Sequence, residues 1–365
     1  MRAKKNYLFM LIVLIAIFTV ACSSSSSTDT KEDDTKDTNG NDAKEEVETV
    51  TLKFASYFAG TSPIYTAFTE PFMKRVTELT EGEVQFEYYP SEQLGKAGDM
   101  LQLTSDGVAD ISIFPAIYFP DQMPLTNMIA GLPNLSESSG QGTKAFNELL
   151  KENSDLLETE YLKNGIRPIM MHVAPSNELW TNGKEIRVPS DLNKQKVRTP
   201  GGVANELYEF MGATPVAIPF PEIYEALDKG VIDVLSLYSL GLQNGGIDEV
   251  VDYAIFPHIA AAIQGIMINE KVWSGLSENA QTAMHQAAEE IIISVGEVYG
   301  EATDNFNEEF VANGNTIAEL TEEEKGEWKK VADEFTESWL EEHKSDGPPY
   351  EEVLNSYKEL LVEYK

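Results

Sequence analysis

Lys194-Gln195-Lys196-Val197-Arg198-Thr199-Pro200-Gly201-Gly202 is a basic stretch in a chain of 61 Asp+Glu against 27 Lys+Arg, with a formal net charge of -34. A guanidinium meets a carboxylate as a two-pronged fork, so Arg198 is a candidate anion holder. Val197 and Thr199 favour a short strand, and Thr199-Pro200-Gly201-Gly202 ends it and opens a helix. Arg198 is therefore expected at a strand end beside a helix N-terminus, where free N–H groups also attract anions. A surface ion pair with one of the many acids is the plainer alternative. Tyr57, Phe58, Tyr118, Trp180, Phe220 and Tyr238 fall at expected strand ends or in the loops after them. They would frame a ligand with an apolar body, although aromatic residues serve cores equally well.

Catalytic chemistry finds no support. His172, His258, His285 and His343 are scattered without metal-ligand spacing. No phosphate-binding glycine loop and no G-x-S-x-G occur. Gly140-Gln141-Gly142-Thr143-Lys144-Ala145 fits a loose dinucleotide pattern but follows Ser138-Ser139 rather than a strand, so it reads as a helix start. The acids are too numerous to single out a pair. No enzyme activity, metal or cofactor is expected. A secreted hydrolase would need an activated nucleophile or a metal. The charge argues against nucleic acid, which needs clustered cations.

The N-terminus points to export. Arg2, Lys4 and Lys5 precede an apolar run from Tyr7 to Val20, and Ala21-Cys22 follows. This resembles a bacterial lipoprotein signal in which Cys22 carries the lipid, with Thr19 where Leu is usual. Cys22 is the single Cys, so no disulfide is possible within one chain. Residues 23–48 are polar and of low complexity, a tether that cannot bury a core. The expected plan is a signal over 1–22, a tether over 23–48 and a binding domain over 49–365. The protein would sit outside the cell, held to the membrane by lipid alone, as a monomer.

The elements that must position Arg198 alternate. Val50–Ser56, Val84–Tyr89 and Asp110–Phe114 read as strands separated by helices. The first helix follows Ser62-Pro63 and is expected to kink at Pro71. Ile166–Val173, the Arg198 strand, Thr214–Ile218 and Ile232–Leu237 repeat the grammar. Val250–Phe256 and Gly265–Asn269 read as two further strands. Alternating β and α implies parallel sheets with sites at the C-terminal strand ends. The expected class is α/β, a two-lobed clam with two sheets. Lobe 1 covers about 49–175 and 264–303, and lobe 2 covers about 176–263 and 304–365. Glu278–Asn313 is expected as a helix spanning both lobes, with possible bends at Gly296 and Gly300.

Several stretches together resemble the solute-binding receptors of tripartite ATP-independent periplasmic (TRAP) transporters. These are Pro90-Ser91-Glu92-Gln93-Leu94-Gly95 with Gly107-Val108-Ala109-Asp110, Lys196-Val197-Arg198-Thr199-Pro200, and Gly212 through Leu227 with Gly230-Val231-Ile232-Asp233. The resemblance implies hinged lobes, capture of a small organic acid and delivery to sodium-driven permease subunits in the membrane. It assigns the ligand carboxylate to Arg198. Two departures stand out. No second arginine occurs near Asn177–Glu178, and the usual amide after Asp233 is replaced in Val234-Leu235-Ser236-Leu237, leaving Ser236 and Tyr238 as polar candidates. A monocarboxylate or a zwitterion with an apolar body suits this pattern better than a dicarboxylate. A same-fold receptor serving a sensor protein, or a purely structural lipoprotein, is the remaining alternative.

Overall fold

The computed structural model describes residues 49–365. Cys22, the signal and the tether lie outside the described residues. Nine strands form one sheet: β1 (Val50–Ala55), β2 (Val84–Tyr89), β3 (Ile111–Pro115), β4 (Ile166–Thr181), β5 (Lys196–Thr199), β6 (Thr214–Ala217), β7 (Val234–Leu237), β8 (Tyr253–Asn269) and β9 (Thr316–Ala318). Their order is β2-β1-β3-β8-β4-β7-β5-β6, with β9 alongside β8. β1, β2 and β3 run parallel, as do β5, β6 and β7. The parallel groups are the two lobes, and β8 and β4 run antiparallel between them.

Two expected sheets are thus one. β8 pairs with β3, β4 pairs with β7, and the two long strands pair with each other, so the lobes share one sheet; the expected gap between Phe256 and Gly265 is continuous strand. Ile259-Ala260-Ala261-Ala262-Ile263 contains no turn-forming polar residue, so the chain bends without reversing. The bend sits at His258 (φ 58) and Ala260 (φ 37). The β4–β8 ladder shifts register three times between Val173 and Leu179, which re-aims the side chains there.

Helices cover both faces. Glu278–Ala312 runs as one unbroken helix and touches elements of both lobes, including the helices Glu70–Leu79 and Ser239–Gly245. Gly296 lies within it without interrupting it. A Cβ on Gly140 would stand 2.9 Å from the Gly296 Cα, so the two glycines let neighbouring helices cross at close range. That explains the Gly140 motif without a nucleotide. The helix Ser139–Glu152 starts where the Ser138 hydroxyl accepts the Gln141 N–H. Pro71 lies within a continuous helical run that begins at Pro63, and a π-helical turn at Tyr65–Thr69 directly precedes the segment Glu70–Leu79 that holds it.

The helix Pro124–Gly131 was not expected, because Leu125 through Gly131 are all buried and carry no polar stripe. Its N-terminus is capped from a distance. The Glu160 carboxylate accepts the Thr126 N–H at 3.0 Å and the Thr126 hydroxyl at 2.6 Å, as well as the Leu125 N–H. Burial pushes the Glu160 carboxyl up to about 7, against the pull of those donors.

Candidate functional site

The C-terminal ends of the parallel strands face the two crossing strands, and a cavity of about 40 Å³ lies between them. Lobe 1 contributes Tyr57 and Phe58 after β1 and Ile117 and Tyr118 after β3. Lobe 2 contributes Arg198 on β5, Pro200 beyond it, Phe220 after β6, and Leu237 and Tyr238 at the end of β7. Asn177 on β4 and Ala262, Ile263 and Gln264 on β8 close it from the hinge side. In this form the space holds only a few waters, so side chains or lobes must part to admit an organic acid.

Arg198 is 3% exposed. Its Nε donates to the Ile218 carbonyl at 2.9 Å and its Nη1 to the Ser236 carbonyl at 3.3 Å. The Tyr118 hydroxyl lies beside the guanidinium, and no carboxylate pairs with Arg198 among the described residues. Five donors are thus fixed by two carbonyls and a phenol, which leaves the fork short of acceptors. Burial pulls the guanidinium below its ordinary value and the neighbouring tyrosines push back. Arginine titrates so high that it stays charged. A buried cation without a counter-charge is costly unless an anion arrives.

The phenols stay neutral. Burial pushes Tyr57, Tyr118 and Tyr238 above the usual tyrosine range, so each keeps its proton. The Tyr57 hydroxyl donates to the side-chain amide oxygen of Gln264. Tyr118 accepts the Phe220 N–H at 2.7 Å, a direct bond between the lobes. Phe58 and Phe220 meet edge-on with centroids 5.3 Å apart, and Tyr57 lies 4.2 Å from Phe58. These rings supply an aromatic part of the cavity lining.

The structure brings together Arg198, Tyr57, Tyr118, Phe220 and Tyr238. Ser236 reaches the site only through its carbonyl. Trp180 does not reach it: its Nε1 donates to the Leu237 carbonyl at 2.7 Å and its ring packs on Phe256, Phe306 and Phe310. It is a core residue of lobe 2. The helix Val203–Phe210 also stays out of the cavity; a Cβ on Gly202 would stand 2.5 Å from the Asn127 side-chain oxygen, so its start packs on the Pro124–Gly131 helix. Asn177 and Gln264 were missed. Gln264 is the one polar residue between Ile259 and Met267 apart from glycine, which is a readable signal.

Glu178, next to Asn177, turns away. Its carboxylate takes the His258 N–H at 3.0 Å and sits 2.7 Å from His258 Nδ1. Burial raises Glu178, while the hydrogen bond to Glu178 raises His258. The cavity lining therefore carries one charge, Arg198. A wider depression of about 640 Å³ lies beside His258 and the helix Glu322–His343. Its Lys329 is paired with Asp333 and its Lys325 with Glu322, and its third lysine, Lys358, is exposed, so it holds no buried cation like Arg198.

Two parallel β/α lobes sharing crossing strands, with a polar cavity at the junction, define a two-lobed solute-binding protein. The chain belongs to the DctP family, bacterial extracellular solute-binding protein family 7, whose family model matches residues 54–343. These are receptors of the TRAP type, binding proteins and not enzymes. The ectoine-binding periplasmic protein TeaA of Halomonas elongata is 25% identical over 306 residues, covering 80% of this chain and 84% of that protein. A TRAP solute-binding protein from Rhodoferax ferrireducens, solved with copurified benzoate, superposes with a TM-score of 0.79 at 23% identity, covering 87% of this chain and 98% of that one. Another from Bordetella bronchiseptica, with bound mandelate, gives 0.77 at 20% identity over 87% and 100%. Among the described residues no helix is long and apolar enough to cross a membrane.

Proposed function

We propose that this receptor captures a small organic monoanion with an apolar body outside the cell and passes it to a sodium-driven TRAP permease, while lipid on Cys22 holds it at the membrane. The observation that carries the reading is Arg198, buried and without an acid, in a cavity whose lining holds no other charge. One fixed positive charge is complementary to one carboxylate; a second carboxylate would enter with no cation to meet it. The Phe58–Phe220 wall suits the hydrocarbon part of the ligand. The benzoate and mandelate bound by two of the relatives are monoanions of this kind. Tyr118 and Tyr238 supply neutral donors around the anion.

A thermal-shift screen of small carboxylic acids, followed by calorimetric titration of the hits, tests this. A monocarboxylate should raise the melting temperature as binding stabilises the folded form. If monocarboxylates leave it unchanged and dicarboxylates raise it, the monoanion reading falls. Fractionation of cells making Cys22→Ala tests the anchor: the variant should leave the membrane fraction, and one that stays there as fully as the parent removes the lipidation step.

A further inference from the structure

Among the residues that line the cavity, one buried polar atom is left over. Asn177 is 5% exposed, lines the cavity, and its Oδ1 has no hydrogen-bond partner. Other buried polar atoms also lack partners, including those of Asn127, His172 and Asn244, but none of those residues lines this cavity. A buried acceptor left unmet is unfavourable, so its retention at a ligand wall needs a reason.

Its neighbours do not supply one. Gln264, the other amide of the wall, is engaged by the Tyr57 hydroxyl. Glu178, one residue on, is turned to His258. The register shifts on either side of Asn177 set its direction, since they decide which residues of β4 face the cavity. We infer that Asn177 reads a neutral hydrogen-bond donor, an O–H or N–H, carried on the same small molecule whose carboxylate Arg198 holds. This rests on the reading of the cavity as the solute site and narrows it. Asn177 and Arg198 line the same cavity, so one small molecule carries both the carboxylate and the donor. No acid lines the wall, so a full positive charge at the donor position would lack a counter-ion. The class is therefore a hydroxy acid or a lactam acid rather than a plain hydrocarbon acid.

The experiment uses two matched pairs of probes: mandelate against phenylacetate for an O–H, and pyroglutamate against cyclopentanecarboxylate for an N–H. Each is titrated calorimetrically into the parent, Asn177→Leu, Asn177→Ala and Arg198→Ala. In at least one pair the parent should bind the donor-bearing acid roughly tenfold more tightly. Asn177→Leu and Asn177→Ala should bring that ratio within about twofold, by weakening the donor-bearing acid alone. The pair that responds tells O–H from N–H. A parent that does not discriminate in either pair, or variants that keep the ratio, overturns the role of Asn177. Melting curves check that the variants fold. A readout free of variants is the Asn177 side-chain amide resonance of the parent, which should move with the donor-bearing acid and not with its partner; equal shifts overturn the inference. Arg198→Ala separates the two levels: if it binds all four acids as the parent does, the solute-site reading itself fails, whereas loss of all four with no effect of Asn177 fails this inference alone.

Discussion

Arg75, Arg167 and Arg187 each close a two-pronged pair on a glutamate, Glu290, Glu270 and Glu324 respectively. Arg198 closes none. All four carry the same fork, and in so acidic a chain a glutamate partner is easy to find. The difference is location. The three paired arginines sit where water still reaches them, and exposed pairs add little to stability. Arg198 is buried against two carbonyls, where a missing anion costs most and an arriving one gains most. The comparison separates arginines that complete ion pairs at the surface from one that is buried without such a pair among the described residues.

The largest effect should come from removing that buried arginine. Arg198→Ala removes the cation and leaves the bound carboxylate buried and unpaired, at a cost of roughly 2–5 kcal/mol. At about 1.4 kcal/mol per decade, calorimetry should record binding roughly 30- to 3,000-fold weaker. Arg198→Lys should recover only part, since an ammonium cannot supply the fork. Binding within about threefold of the parent would class Arg198 with the surface pairs.

A middle-sized effect tests a carboxylate that has no fork at all. Glu160 is buried against N–H and hydroxyl donors and stands at about 7 in the folded protein. Below about pH 4.5 it is protonated whether folded or not, and nothing is lost. As pH rises from there to 7, the unfolded chain releases a proton that the native chain keeps, so stability falls through this window. Above 7 the penalty is complete, on the order of 3 kcal/mol. Glu160→Gln should flatten the melting temperature between pH 4.5 and 7 relative to the parent. An unchanged slope would show that the carboxylate is not buried in this way.

The smallest effect belongs to the surface. Arg187→Ala should lower the melting temperature by no more than a few degrees and leave ligand affinity within about twofold. Glu324, paired with Arg187, is held down to about 2. Its contribution is present above the ordinary carboxylate range and is lost as pH falls through 2, the opposite sign to Glu160. An affinity loss in Arg187→Ala as large as that in Arg198→Ala would erase the contrast between the two kinds of arginine.

Arg198 was legible because a cation amid so many acids carries information, and Phe220 and Tyr238 because they follow strands. Trp180 misled because strand parity could not be read through β4: the register shifts between Val173 and Leu179 reset which side faces the cavity. The same shifts hid Asn177. The Pro124–Gly131 helix was illegible because burial on every side removes periodicity, and its cap, Glu160, lies 34 residues from Thr126. The single sheet was missed because nothing in Ile259–Ile263 distinguishes a link between sheets from a strand belonging to both.

That shared strand pair governs how the molecule comes apart. β8 hydrogen-bonds to β3 near its end and to β9 near its start, and β4 runs beside most of it. Melting either lobe strips partners from strands the other lobe needs. The two lobes cannot unfold as separate units, as beads on a linker would. Heating should therefore give one endotherm whose calorimetric and van't Hoff enthalpies agree, and ligand should move that single peak as a whole.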